Sequence, residues 1–321
     1  SFVPNEKWWG DKPFLDKVTY RQMKDQASIN AFKAGEIDAT GVGNKDRLAA
    51  VKDMNDIEIR TAMMPSNSLI VLNSGNEMLK DIKVREAVLT GIDRSQLAAI
   101  RFNGLNGYKE ELPGSLNLYQ TQKGYEDNVG AVVKFDAEKA KSLLEEAGWK
   151  EGADGIREKS GKKLSLRYTL LGDSDISKAM ATATQKMLKD IGIDLKVEER
   201  PSSDFSEIAT KKDFDIFPMG FTAGDPFGIA YFGQVYRSDS ELNKSGTGTP
   251  EMDKKIEELA KIADPDEQIK KGNELEREAL STYGIMPIYN GPAMVATSPK
   301  LANFGAASFA VLEVEDIGYT E

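Results

Sequence analysis

"KKLSLRYTLLGDSDISKAMATATQKMLKDIGIDLKVEE", residues 162–199, changes its apolar period twice. Apolar residues alternate with polar ones over residues 164–170, as in a strand with one buried face. Apolar residues at helical spacing then run over residues 176–191, and Gly192 marks the end of this helix. Alternation resumes over residues 193–199. A strand, a helix and a strand within about 40 residues predict a βαβ unit with a right-handed crossover and two parallel strands.

Further helices and strands flank this unit. FDAEKAKSLLEEAGW, residues 135–149, predicts a helix that is capped by Asp136 and ends at Gly148. Two more helices are predicted over residues 249–263 and 264–280, because each begins with a capping side chain followed by proline. The other predicted elements are strands near 17–23 and 67–73, a helix near 26–34, two helices within 81–100, a strand at 214–219 and strands within 285–298.

Composition restricts the possible functions. The 321 residues, 40% of them hydrophobic, predict a globular chain of about two domains. A net charge of −10 argues against nucleic acid or an anionic membrane surface as a partner. The chain has no histidine and no cysteine, which excludes Ser-His-Asp and thiolate catalysis, disulfides and zinc–thiolate sites. We therefore expect a protein that is not an enzyme.

Partial motifs for cofactors and metals are weak. GVGNKD, residues 41–46, has the first two glycines of a dinucleotide fingerprint but Asp46 in place of the third. GDSDIS (172–177) and DPDE (264–267) bring carboxylates together, but both lie at predicted helix starts, where capping explains them better. No pair stands out among the 52 carboxylates as a glycosidase pair. We expect no cofactor and no bound metal.

Adjacent indoles in NEKWWG, residues 5–10, could stack a ligand. Neighbouring residues of a strand face opposite sides, so at least one indole would point into the protein. Core packing is therefore the favoured prediction for Trp9, and no role is predicted for Trp8.

The best candidate for a binding site is DFDIFPMGFTAGDPFG, residues 213–228. A short strand, Phe214–Met219, runs into a glycine-rich segment, and in open α/β sheets ligands bind beyond the carboxyl ends of strands. The alternative is an ordinary turn in which Asp225 caps its own backbone. The candidate ligand-binding residues are Gly220, Phe221, Thr222, Gly224 and Asp225.

Five stretches in order carry a resemblance to a known family. They are NEKWWGDKPFLDKVTYR (5–21), FKAGEIDAT (32–40), LIVLNSGNEMLKDIKVREAVLTGIDRSQLA (69–98), FDAEKAKSLLEEAGW (135–149) and GFTAGDPFG (220–228). They resemble the solute-binding proteins of peptide-type ABC transporters (family 5), an extracytoplasmic family of dipeptide, oligopeptide and nickel binders. The resemblance covers nearly all of the chain.

The resemblance implies an α/β, periplasmic-binding-protein-like fold of type II, with one complete lobe and remnants of the other. Residues 1–66 would be a remnant of lobe one, residues 67–284 would form lobe two, and residues 285–321 would return to lobe one, with crossings near 66 and 285. It also implies that the chain is a C-terminal portion. The part before it would hold the signal and, in many members, a lipid-anchoring cysteine, which would be the only attachment to the membrane.

The implied function is the capture of a peptide or other small solute between two lobes and its delivery to a membrane permease. The family's binding stretch has an aspartate that takes the α-amino group of a peptide, and this sequence has Gly224 near that place. Peptide, sugar and other ligands therefore stay open. Two alternatives also stay open, namely a carboxylate-dependent hydrolase of peptides or glycosides in the same cleft, and a regulatory ligand sensor.

Overall fold

The computed structural model describes residues 1–105, 112–222, 225–226, 228–310 and 312–321. The chain forms two compact units. Unit 1 comprises Ser1–Pro65, residues 102–105 and Gly291–Glu321, and unit 2 comprises Ser66–Arg101 and the described residues from 112 to 290. Within these described ranges no helix combines the length and the apolar character needed to cross a membrane.

Helices occur in both units. The α-helices are α1 (Asp25–Lys33), α2 (Lys45–Val51), α3 (Ile82–Thr90), α4 (Arg94–Phe102), α5 (Asn128–Val132), α6 (Ala137–Glu146), α7 (Asp175–Asp190), α8 (Phe205–Lys211), α9 (Phe232–Tyr236), α10 (Pro250–Leu259) and α11 (Pro265–Leu280). Short 3₁₀ turns occupy Ser202–Asp204 and Val314–Asp316. Three predicted caps are present, since the side chains of Asp136, Thr249 and Asp264 accept backbone N–H bonds at the starts of α6, α10 and α11. The capping interpretation of GDSDIS is wrong, because Ser174 precedes α7 without a side-chain cap hydrogen bond.

Strands occur in both units. They are β1 (Ala39–Gly41), β2 (Glu58–Met63), β3 (Ser66–Leu72), β4 (Lys150–Glu151), β5 (Arg157–Lys159), β6 (Lys162–Lys163), β7 (Ser165–Leu171), β8 (Asp194–Arg200), β9 (Ile216–Thr222), β10 (Ile285–Tyr289), β11 (Pro292–Thr297), β12 (Leu301–Ala302) and β13 (Gly318–Tyr319).

The main sheet of unit 2 has the strand order β10-β3-β9-β7-β8. The predicted βαβ unit is confirmed, because β7 and β8 are joined by α7 and pair in parallel from Ser165 to Leu171. Apolar clusters cover both faces, with α3, α6 and α7 on one side and α8 to α11 on the other. Two covered faces explain why β3, SNSLIVL, ends in a continuous apolar run rather than alternating.

One edge of this sheet collects several strand ends. β9 runs parallel to β7 and β8, and β3 runs antiparallel to both β9 and β10. The carboxyl ends of β7, β8, β9 and β10 therefore lie at the same edge, together with the start of β3 at Ser66. This is the edge at which open α/β sheets bind ligands.

Unit 1 contains a three-stranded antiparallel sheet, β1-β11-β2, with α1 and α2. Its core is small and includes Ile29, Phe32 and Val51. Residues 1–24 contain no helix or strand, so the strand predicted near 17–23 is wrong, and only an isolated bridge joins Phe2 to Val18. The core prediction for Trp9 is also wrong, because its side chain is 87% exposed with no strand face to pack against.

The boundaries of the units differ slightly from the predicted crossings. The first lies between Pro65 and Ser66, next to the predicted crossing near 66. The second lies after Asn290 rather than near 285, because Ile285–Tyr289 pairs with β3 and so belongs to the sheet of unit 2. The assignment of these units to two lobes stays a prediction.

Candidate functional site

The strand in the candidate stretch ends three residues later than the sequence predicts, at Thr222 rather than at Met219. β9 extends from Ile216 to Thr222, so the first three candidate residues continue the ladder instead of starting a loop. The reason is tertiary, since β3 pairs with β9 along its full length from Ser66 to Leu72. The residues in question, opposite Ser68, Asn67 and Ser66, are Gly220, Phe221 and Thr222.

The direction of each backbone group of β9 follows from the ladder. Opposed residues of an antiparallel pair alternate between exchanging two hydrogen bonds and exchanging none. The N–H of Asn73 donates to the carbonyl oxygen of Asp215 at 2.9 Å, which makes this opposed pair a hydrogen-bonded one. Odd-numbered positions of β9 therefore bond to β3. The backbone groups that point away from β3 belong to Pro218, Gly220 and Thr222.

In the described part of the chain, no strand pairs with these outward groups. β7 pairs with β9 at one position, Tyr168 opposite Ile216, and the pairing does not continue toward Thr222. Proline is tolerated in a sheet where no ladder bond is needed, which explains Pro218 in the middle of β9. We call the outward backbone groups of residues 218–222 the open edge.

Side chains leave the open edge accessible. A Cβ added to Gly220 would meet nothing closer than the carbonyl oxygen of Asn67 at 3.9 Å, and the φ of this glycine is not positive. Neither packing nor backbone conformation therefore requires glycine there, although glycine weakens a strand. Phe221 is half-buried, with its ring edge-on to that of Tyr231 at 6.4 Å, and the Thr222 hydroxyl bonds to that of Ser66.

Asp225 lies just beyond the strand and is half-buried. Its carboxylate accepts a hydrogen bond from the N–H of Ala230 at 3.2 Å, and its carbonyl oxygen accepts one from Nε2 of Gln122 at 3.2 Å. The first contact supports the capping alternative for Asp225. Gly224, the remaining candidate residue, lies outside the described residues. A ligand-binding role for these five residues stays a prediction.

Buried amides at the same edge were missed from the sequence. Asn67 in β3 is 1% exposed and receives a hydrogen bond from Nδ2 of Asn290 at 2.7 Å. The same Asn290 nitrogen donates to the carbonyl oxygen of Ser66 at 3.0 Å. Nδ2 of Asn67 reaches the hydroxyl oxygen of Tyr119 at 3.4 Å. These contacts hold the start of β3 against Asn290 and Tyr119, and the only sequence signal is an asparagine beside an apolar run.

A buried carboxylate was missed as well. Glu276 on α11 is 1% exposed and lies on the same helical face as Ile269, Asn273 and Leu280. Two polar residues on an otherwise apolar stripe are the sequence signal that could have identified it. Tyr236 lies beside it with its hydroxyl 3.4 Å from the carboxylate, and burial raises the pKa of this phenol well above its usual value. The phenol therefore stays a neutral donor.

The candidate site offers the main-chain hydrogen-bonding groups of the open edge, the aromatic ring of Phe221 and the carboxylate of Asp225. Among the described residues no three acidic side chains converge on a point that could hold a metal ion. Such an arrangement can bind an extended chain or a polar solute.

Comparison with protein families gives one clear match. A model described as "Bacterial extracellular solute-binding proteins, family 5 Middle" matches residues 1–243. Among curated relatives, the oligopeptide-binding protein OppA of Mycobacterium tuberculosis is 34% identical over 98% of this chain and 53% of its own length. The nickel-binding periplasmic protein of Escherichia coli is 28% identical over 96% of the chain and 60% of its own length.

Solved structures share the fold. The oligopeptide-binding protein AppA from Bacillus subtilis, in complex with a nonapeptide, superimposes with a TM-score of 0.82 at 24% identity. The match covers 99% of this chain and 63% of AppA. The chain spans about half the length of the M. tuberculosis relative.

Proposed function

The chain belongs to the family 5 bacterial extracellular solute-binding proteins, and from this premise we propose that it is part of the substrate-binding component of an ABC importer that captures peptides. Its fold is the mixed α/β fold of type II periplasmic binding proteins. The protein would bind its solute outside the cytoplasm and deliver it to a membrane permease without making or breaking a bond. Nothing in the family match supports the hydrolase alternative.

The observation that carries the peptide proposal is the open edge. An extended peptide can add to an unpaired strand through main-chain hydrogen bonds, a mode of recognition that does not depend on the peptide's sequence. Gly220 and Thr222 each offer an N–H and a C=O in the required alternation, and Pro218 offers a C=O. A sugar or a free amino acid has no backbone of matching repeat. The open edge therefore favours a peptide of several residues.

Asp225 supplies the charge in this proposal. It is placed three residues after the last pair of β9, so a peptide lying along the open edge would bring one terminus near it. Its carboxylate is half-buried and accepts the N–H of Ala230 at 3.2 Å. We propose that Asp225 attracts the α-amino group of the peptide, in the role the family motif gives to another aspartate.

Two parts of the proposal are supported only by the chain's membership of the family, and not by contacts within the chain. One is the enclosure of the solute by a second lobe, whose closed form the permease would recognise. The other is attachment of the complete protein to the membrane through a lipid anchor. Transport of a bare transition metal is the least expected role, because the chain has no histidine or cysteine to supply soft ligands.

The proposal is tested by calorimetry on the complete mature protein. Equimolar mixtures of tripeptides to hexapeptides are titrated, with free amino acids and a panel of mono- and disaccharides as controls. We expect micromolar or tighter binding for at least one peptide mixture and none for the controls. Mass spectrometry of the mixture after incubation should recover the peptides intact. Binding restricted to a sugar or an amino acid, or cleavage of the peptides, would refute the proposal.

A further inference from the structure

Residues 113–119 form a segment of unit 2 that is buried throughout and has no helix or strand; we call it the buried segment. Irregular segments are normally on the surface, because their backbone groups need partners that the interior seldom provides. Here the ends are held by Arg94, which donates to the carbonyl oxygen of Pro113 at 2.8 Å, and by Gln122, which accepts from the N–H of Tyr119 at 2.8 Å. The hydrogen-bond donors in the middle of the buried segment need acceptors from elsewhere in the protein.

Glu276 provides these acceptors. Its Oε1 accepts from the N–H of Leu116 and from Nδ2 of Asn117, both at 2.8 Å. Its Oε2 accepts from the hydroxyl of Ser115 at 2.6 Å and from Nδ2 of Asn128 at 2.7 Å. A carboxylate accepts hydrogen bonds at both oxygens, so this one side chain provides acceptors for all four donors.

The buried segment also makes hydrogen bonds to Asn67 and, through Gln122, to Asp225, both near the end of β9. The carbonyl oxygen of Ser115 and the hydroxyl oxygen of Tyr119 both lie 3.4 Å from Nδ2 of Asn67, at the start of β3. Gln122, which holds the N–H of Tyr119, donates through Nε2 to the carbonyl oxygen of Asp225. Glu276 is thus connected, through the buried segment and its hydrogen bonds, to Asn67 at the start of β3 and to the chain at Asp225.

We propose that Glu276 is a positioning residue for the ligand site, which it serves by holding the buried segment and, through Gln122, the chain at Asp225. This inference rests on the proposed peptide-binding function of the open edge. The residue type matters, because the groups that face the carboxylate are donors and a carboxylate is an acceptor at both oxygens. A glutamine in its place would turn an NH₂ group toward other donors.

The test compares Glu276→Gln with Glu274→Gln in the complete mature protein. Glu274 is on the same helix but is exposed and pairs with Lys271, so its change removes the same charge without touching the network. Hydrogen exchange of the Leu116 and Ala230 amides reports the buried segment and the Asp225 contact, respectively. Peptide affinity is measured by calorimetry well below each melting temperature.

We expect Glu276→Gln to accelerate exchange at both amides and to weaken peptide binding. If the variant holds its site in the competent arrangement about a tenth of the time, the apparent dissociation constant rises about tenfold. Glu274→Gln should leave both amides and the affinity as in the wild type. Faster exchange at Leu116 with no change at Ala230 and in affinity would mean that Glu276 only stabilises the fold, and would overturn the inference.

A second variant covers the case in which Glu276→Gln does not fold. Gln122→Met removes the bond to the Asp225 carbonyl oxygen and the acceptor of the Tyr119 N–H, and leaves the bonds of Glu276 in place. We expect faster exchange at Ala230, unchanged exchange at Leu116 and weaker peptide binding; an unchanged Ala230 amide would overturn the inference. If the wild type binds no peptide, the proposed function fails, and the exchange rates alone decide whether Glu276 positions this edge.

Discussion

The two halves of β9 differ in what surrounds them. At its start, Ile216 and Phe217 are fully buried, and Ile216 lies between a partner on β3 and Tyr168 on β7. Toward its end, Gly220 and Thr222 are exposed and pair only with β3 among the described strands. One strand therefore contributes to the core at one end and presents free backbone groups at the other.

The difference follows from the extent of pairing, because β7 pairs with β9 only at Ile216. Pairing between them stops at Ile216, so the next even-numbered residues of β9 lose a partner on that side. Pro218, which has no N–H, is the first of them, and Gly220, which has no side chain, is the second. A folding role and a binding role can thus be separated by mutation within a few residues.

The largest effect is expected at the buried half. Phe217→Ala should lower the free energy of unfolding by about 3–5 kcal/mol, because it removes a ring that packs on Phe214 at 5.1 Å and leaves a cavity. Phe221→Ala, in the half-buried part of the same strand, should cost less. Urea denaturation of both variants measures the difference. Equal losses would mean that the two halves are equally part of the core.

Asp225→Asn should have the next largest effect, on binding. Asparagine can still accept the N–H of Ala230, so the melting temperature should stay close to that of the wild type. Loss of a charge-assisted bond of about 1.5–3 kcal/mol should weaken a peptide with a free amino terminus about 10- to 150-fold. An N-acetylated peptide serves as the control and should bind both proteins alike. An unchanged affinity for the free peptide would limit Asp225 to a capping role.

Two substitutions of Gly220 isolate the contribution of its backbone N–H to peptide binding. Gly220→Pro deletes the N–H on the open edge, whereas Gly220→Ala keeps it and has room for its methyl group. One backbone hydrogen bond is worth about 0.5–1.5 kcal/mol, so the proline variant should bind peptide about 2- to 12-fold more weakly than the alanine variant. Thermal melts should show both folded, since Pro218 already occupies the same kind of position. Equal affinities would exclude this N–H from peptide binding.

The smallest expected effect is a loss of folding stability at alkaline pH, caused by Tyr168, which lies on β7 opposite Ile216 in the buried half of β9. Burial raises the pKa of Tyr168 well above its usual value, so the unfolded chain loses this proton at a lower pH than the folded chain. Stability from this group is complete below the unfolded pKa, near 10, and falls as the pH rises above it. The loss should reach about 0.8 kcal/mol half a unit above that value. Tyr168→Phe should show a shallower fall in urea denaturation than Tyr20→Phe, an exposed control.

Much of unit 2 could be predicted from the sequence. The period changes of residues 162–199 are local signals, and they gave β7, α7 and β8 with the correct parallel pairing. Capping side chains placed the starts of α6, α10 and α11 for the same reason, because a cap bonds to residues within its own first turn.

Features that depend on distant partners could not be predicted. Residues 220–222 have the composition of a turn, and only pairing with β3 makes them a strand. Trp9 was predicted to pack against a strand face that residues 1–24 do not form. The role of Glu276 depends on a segment about 160 residues earlier in the chain, although its place on an apolar helical face was a visible sign.

The most direct test of the central claim is residue-resolved amide exchange along β9, measured by NMR with and without a bound peptide. The account predicts that the amides of Phe217, Met219 and Phe221 are protected in both states, because they bond to β3. The amides of Gly220 and Thr222 should exchange rapidly in the free protein and become protected when the peptide binds. Peptide binding that leaves these two amides unprotected would contradict the claim that the open edge of β9 receives the ligand.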